Sequence, residues 1–232
     1  MLDWLWSSTV AGIIAFFLLL NLAILAGTIA AGQVLQRFGG PLMSLKSISP
    51  IEWLLSLSTV TVNAAISVAG WVLWKSGWLT LNTTGGAWRI LRDTLILMLV
   101  MDLALYVLHR VAHVPYFFRL AHFKHHEYRD VRAVTLFVMH PLEALGFGSL
   151  WVVTLMFFPF TVESVLLFLN LNLYFGVTAH CGLRLYPRAL AGVFSRFALS
   201  DPEFHARHHR DEALNLGFYT TIWDRLFRSY SN

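Results

Sequence analysis

From Thr9 to Leu35 the chain carries no Asp, Glu, Lys or Arg and is dominated by aliphatic side chains. About 20 consecutive apolar residues cross the hydrocarbon core of a bilayer as a helix, so this run predicts a membrane span. Three features extend that reading. Residues ~51–74 and ~90–108 form further runs, the latter interrupted by Arg92, Asp93 and Asp102. Two shorter runs, ~134–158 and ~162–179, meet at Pro159 and read as a tight helical hairpin. The composition agrees: 57% hydrophobic and 13% charged residues, against roughly 25% charged in a soluble domain. The expected fold is all-α and integral to the membrane, with four to five transmembrane helices. Met1 to Ser8 holds no basic residue, so the first run is expected to be a retained helix rather than a cleaved secretory signal. The tryptophans near the helix ends read as interfacial anchors and are given no catalytic role.

The net charge is +4. The basic residues flank apolar runs, which fits the loop-charge bias of membrane proteins and argues against a nucleic-acid partner. None precedes Arg37. Arg110, Arg119, Lys124, Arg129 and Arg132 lie in one segment, and Arg184, Arg188, Arg196, Arg207, Arg210, Arg225 and Arg228 in another. The hairpin crosses twice between these segments, so both lie on one face, expected to be cytoplasmic, with the N-terminus opposite. Two regions are expected: N-terminal transmembrane helices over 1–89 and a catalytic region over 90–232.

That face also receives the chemistry. The ten histidines are absent from the first 108 residues. His109 and His113 stand four apart. In His122-Phe123-Lys124-His125-His126 the first histidine shares a helical face with both others, and His205-Ala206-Arg207-His208-His209 repeats the pattern. Three groups that each point two or three imidazoles at one centre predict a metal site. Structural zinc takes four ligands, so eight or nine nitrogens match two ions. Imidazole suits iron, copper, zinc and nickel alike, so donor type alone leaves the metal open. The single cysteine, Cys181, excludes an intrachain thiolate cluster. His180, at the end of the last span and level with the clusters, reads as a ninth ligand, because a buried imidazole there needs a partner. His140 is a further candidate, with an interfacial pairing to Glu143 as the alternative.

These residues resemble the fatty acid hydroxylase and sterol desaturase superfamily of membrane histidine-box oxygenases. The likeness runs from Asp102 to Phe227. Asp102-x-x-x-Tyr106-x-x-His109-Arg110 is similar to the first box, His122-x-x-His125-His126-Glu127-Tyr128 to the second and His205-x-x-His208-His209 to the last. His140-Pro141-x-Glu143 and His180-x-Gly182 resemble accessory motifs, and Asn215-x-Gly217 and Trp223-Asp224-Arg225-Leu226-Phe227 a C-terminal signature. The resemblance implies a di-iron enzyme, with zinc able to substitute, whose cytoplasmic helical cap carries the metals. It would use O2 and two external electrons to hydroxylate or desaturate an unactivated C–H position of a lipid. The implied ligands are His109, His113, His122, His125, His126, His180, His205, His208 and His209. Asp102, Glu127 and Asp224 are expected to orient ligand histidines by hydrogen bonds, although Asp102 could instead pair with Arg110. A fused b-type cytochrome is not expected, and the expected electron donor is a separate protein, a ferredoxin or a b-type cytochrome with its reductase. The family implies four membrane helices, one fewer than the five runs counted here.

Other classes fit less well. A histidine-rich metal transporter would place polar ligands near the bilayer midplane, where this chain has almost no histidine. Haem needs histidines facing one another rather than adjacent pairs. A hydrolase of the common kinds would carry His-Glu-x-x-His or Gly-x-Ser-x-Gly, and neither occurs. Within the favoured class, fatty acyl lipid, sterol and carotenoid ring substrates all remain open.

Overall fold

The computed structural model describes residues 2–38, 47–83, 85–181 and 193–231, without the side chains of 36–38. A short α1 (Leu2–Ser7) leads into α2 (Val10–Phe38), followed by α3 (Pro50–Lys75) and α4 (Ala87–Ala112). Beyond α4 the chain makes α5 (Pro115–Phe117), a π-helical turn (Phe118–His122), α6 (Phe123–His126) and a 3-10 turn (Ala133–Phe137). Then come α7 (Pro141–Phe157), α8 (Val162–Ala179), α9 (Pro202–His208) and α10 (Ile222–Leu226).

Among the described residues four helices are long and apolar enough to cross a membrane: Val10–Leu35, Pro50–Lys75, Ala87–Ala112 and Val162–Ala179. Their outward faces carry Leu19, Leu54, Leu95 and Leu99, each more than half exposed. Such a belt of apolar surface has no water-facing equivalent in a soluble monomer and matches lipid. α7 is apolar but shorter, at 17 residues.

The run expected over ~134–158 is α-helical only from Pro141, its first residues forming the 3-10 turn. Proline lacks the N–H that a helix interior needs and pushes the preceding residue into extended backbone. His140 accordingly has ψ 143° and caps α7, its Nδ1 accepting the Leu142 amide at 3.2 Å. The expected hairpin is also opened out: α7 packs on α3 and α4, and α8 on α4. α3 begins in a reciprocal capping box between Ser49 and Glu52, with Pro50 in its first turn. α2 packs along α3 through Leu25, Val60 and Phe137. It also meets the 3-10 turn closely, since a Cβ on Gly32 would lie 2.3 Å from Ala133 Cβ.

At the end of the bundle away from the histidines, Asn82 pairs through its backbone with Phe160 and Val162, and Asp93 Oδ2 accepts the Thr161 amide at 3.1 Å. These bonds tie the α3–α4 loop to the α7–α8 turn. The opposite ends of α4 and α8 then stand together beneath the segments 113–138 and 199–231.

Candidate metal centre

The last turn of α4 delivers His109 and places His113 at its cap, the spacing of four putting both on one face. The π-helical turn and α6 carry His122, His125 and His126. His180 caps α8, and α9 with its cap carries His205, His208 and His209. All nine are buried except His113, which is partly so.

They converge in two groups. His109, His113, His122, His126 and His208 form one, and His125, His180, His205 and His209 the other, with the ligand atoms in each group within 4.8 Å of one another. In the first group, His122 Nε2 lies 3.1 Å from the Nε2 atoms of His109, His113 and His126, and His208 Nε2 lies 3.2 Å from His126 Nε2.

These nitrogens cannot all hydrogen-bond one another. Nδ1 of His109 reaches the Leu216 carbonyl at 2.7 Å, and Nδ1 of His208 the Leu214 carbonyl at 2.7 Å. Nδ1 of His125 meets the Val138 carbonyl at 3.2 Å, and that of His180 the Gly176 carbonyl at 3.0 Å. A carbonyl only accepts, so each Nδ1 carries the proton and each Nε2 presents a bare lone pair. His122 Nδ1 likewise donates to Glu143 Oε1 at 2.8 Å. Buried lone pairs facing each other at about 3 Å repel unless a cation lies among them. Among the described residues His180 Nε2 is buried with no hydrogen-bond partner, as the same argument requires. The donor set is therefore suited to two imidazole-bound metal ions.

Burial keeps the rings neutral and ready to bind metal. It holds His122 down at about 4. His113 falls to about 3 through burial and then the neighbouring His122 and His125, and His180 to about 3 through burial and then His125. Burial, followed by neighbouring imidazoles, also depresses His126, His205 and His209.

The outer layer differs from expectation in three places. Asp102 does not touch a histidine or Arg110. Its carboxylate accepts the amides of Tyr219 (3.0 Å) and Thr220 (3.2 Å), the Thr220 hydroxyl (2.5 Å) and the Trp223 indole N–H (3.0 Å). Arg110 instead donates to the Tyr106 hydroxyl at 2.7 Å. Glu127 caps the end of α6, is partly exposed and pairs with Lys124 one turn away rather than with a histidine. His140 stays outside both groups. Its expected partner Glu143 turns inward from the first turn of α7 to His122, a role signalled only by the His140-Pro141-x-Glu143 motif.

Asp224 acts at one remove. Its two oxygens accept the amides of Leu216 and Gly217, each at 2.8 Å, and so fix the carbonyl that receives His109 Nδ1–H. A Cβ at Gly217 would lie 2.6 Å from Asp224 Oδ2, so only glycine lets the carboxylate approach this closely. Gly182 of the expected His180-x-Gly182 motif lies outside the described residues.

The fatty acid hydroxylase family matches residues 94–229, more than half the chain. A cholesterol 25-hydroxylase-like protein of Danio rerio is 29% identical over 61% of this chain and 57% of its own length. A Delta(7)-sterol 5(6)-desaturase of Eremothecium gossypii is 27% identical over 80% of this chain and 52% of its own. A methylsterol monooxygenase 2-1 of Arabidopsis thaliana is 27% identical over 59% of this chain and 54% of its own. The chain thus spans about half the length of the curated relatives it matches. No solved structure matches it. The matched region takes in both histidine groups together with Glu143 and Asp224, and the chain belongs to the fatty acid hydroxylase family.

Proposed function

We propose that this chain is a membrane-bound di-iron oxygenase that hydroxylates or desaturates an unactivated C–H position of a lipid. The observation that carries the reading is the division of nine histidines, eight of them buried and His113 partly so, into groups of five and four, each with its bare nitrogens turned inward. In this reading His109, His113, His122, His126 and His208 hold one ion, and His125, His180, His205 and His209 the other. Iron bound there would supply the activation of O2 that C–H oxidation demands.

The chain's own residues perform the supporting work. The carbonyls of Leu216, Leu214, Val138 and Gly176, with Glu143, fix ring orientation and tautomer. Burial keeps the imidazoles unprotonated and excludes bulk water from the reacting centre. The bilayer delivers the substrate, and the names of the relatives favour a sterol or another lipid of that size. Arg110, Arg119, Lys124, Arg129 and Arg210 flank the histidine segments, which supports a cytoplasmic position by the loop-charge bias and access for a separate electron donor such as a ferredoxin or b-type cytochrome.

The test is metal content per chain by elemental analysis, followed by anaerobic reduction and measured O2 uptake. The expected result is near two irons per chain with O2 consumed on reoxidation. Iron that fails to bind after reconstitution, or binds without consuming O2, overturns the proposal.

A further inference from the structure

Two phenylalanines stand between the histidines and the apolar bundle. Phe218 lies 5.1 Å from the His109 ring of the five-histidine group and 6.2 Å from the His205 ring of the other. Phe147, on α7, lies 5.9 Å from His109 and 6.4 Å from His122. The two rings meet each other at 5.7 Å, and their outer sides pack on the main apolar core. Both are only partly buried, whereas His109, His122 and His205 are at most 5% exposed. Phe147 and Phe218 thus offer partly accessible aromatic carbon within ring contact of these histidines.

The backbone around Phe218 is held firmly. Asp224 takes the amides of Leu216 and Gly217 on one side, and Asp102 those of Tyr219 and Thr220 on the other. Two buried carboxylates thus clamp the peptide on both sides of a single apolar residue. Holding His109 requires only the first of these clamps, through the Leu216 carbonyl. The second fixes the chain from Tyr219 onward and so determines where the Phe218 ring stands.

We propose that Phe218 and Phe147 are positioning residues that form an apolar platform for the alkyl or ring portion of the substrate, directly beside both histidine groups. The proposal rests on the oxygenase reading and adds to it the surface that aligns the reacting carbon. Ring size at 218 then sets how far an apolar chain advances toward the histidines.

The test uses the metal-loaded full chain in lipid nanodiscs, without an electron donor, and two photo-reactive probes: a fatty acid with a diazirine on its alkyl chain and a sterol with one on its side chain. Labelled sites are mapped by peptide mass spectrometry, and the lipid-facing α2 serves as the internal control. The expected result is that at least one probe labels both the Phe147 and the Phe218 peptide. Phe218→Trp should cut that labelling roughly tenfold, the scale on which pocket shape discriminates apolar ligands, with metal content unchanged. Phe147→Trp is the second variant should Phe218→Trp lose metal. Labelling confined to α2 and the other lipid-facing helices, or undiminished in the variant that retains metal, overturns the proposal. Because no electrons are supplied, labelling is independent of turnover. A protein that labels as expected yet consumes no O2 keeps the platform and refutes the oxygenase reading instead.

Discussion

His122 Nδ1 and Glu143 Oε1 lie 2.8 Å apart, both side chains at most 3% exposed, and the bond joins the second histidine segment to the first turn of α7. A carboxylate behind a ligand imidazole fixes the tautomer and raises the basicity of the nitrogen on the other side. It also brings negative charge close to a centre that would otherwise consist of neutral nitrogens and cations.

Glu143→Ala should weaken metal binding at the five-histidine group by about 10- to 100-fold, the usual cost of losing such a partner. Glu143→Gln should lose less, since its amide oxygen can still accept the His122 Nδ1–H. His140→Ala should leave metal affinity unchanged, because His140 caps α7 and joins neither group. Chelator competition with metal-loaded protein separates the three variants. Equal affinity in Glu143→Ala and the parent would show that the contact does not support metal binding.

His208 and His209 are neighbours in sequence but join different groups, as do His126 and His125. His208→Ala and His209→Ala should each lower the metal content from two ions toward one, at different groups. The double variant should approach none. Elemental analysis checks the stoichiometry. If either single variant emptied both groups, the pairing of each histidine with its own ion would be wrong.

That division was not legible in the sequence, and the reason is geometric. Spacings of three and four in His122-x-x-His125-His126 and His205-x-x-His208-His209 announce a shared face. Adjacent residues, however, point about 100° apart around a helix, and only the packing of four separate segments decides which ion each imidazole meets. The long spans were readable for the opposite reason, since a helix in lipid must be apolar throughout its own length. The segment 134–140 is apolar too and so extends the apolar run beyond the helix itself, whose start is signalled by His140-Pro141. Asp102 sits about two turns before His109 on the same face of α4, a spacing that points to a ligand-orienting bond. Its carboxylate instead serves a loop 117 to 121 residues away in sequence, a partner that local spacing does not reveal.

The depressed histidine pKa values give the metal-free protein a definite acid response. Unfolded histidine titrates near 6.5. Burial first, then neighbouring imidazoles, holds His113 and His180 at about 3, and burial holds His122 at about 4. Above pH 6.5 both states are neutral and these groups add no pH dependence. Below it the unfolded chain takes up protons that the folded chain refuses, so folding stability falls as pH drops toward 3 to 4. The thermal unfolding midpoint of the metal-free protein in detergent should be flat from pH 8 to about 7 and decline below about 6.5. A midpoint unchanged down to pH 5 would contradict the buried, neutral state of these rings.

Asp224 offers the most direct test of how the C-terminal segment serves the histidines. Its oxygens accept the Leu216 and Gly217 amides, and the Ser229 hydroxyl donates to Oδ1 at 2.7 Å. Asparagine preserves the shape but replaces one acceptor oxygen with an NH2 group. In Asp224→Asn one buried amide therefore loses its acceptor, at a cost of about 1–3 kcal/mol. The Leu216 carbonyl should shift with it, taking the support from His109 Nδ1. The five-histidine group should lose its ion to a chelator faster than in the parent, while the four-histidine group, with none of its members bonded to Leu216, keeps its own. Asp102→Asn holds the neighbouring stretch of the same loop and touches no histidine. It should lower the unfolding midpoint without this selective release. Biphasic metal loss in Asp224→Asn and uniform loss in Asp102→Asn is the expected pair of results. Identical release kinetics in the two variants would mean that the Leu216 carbonyl does not set the affinity of the five-histidine group.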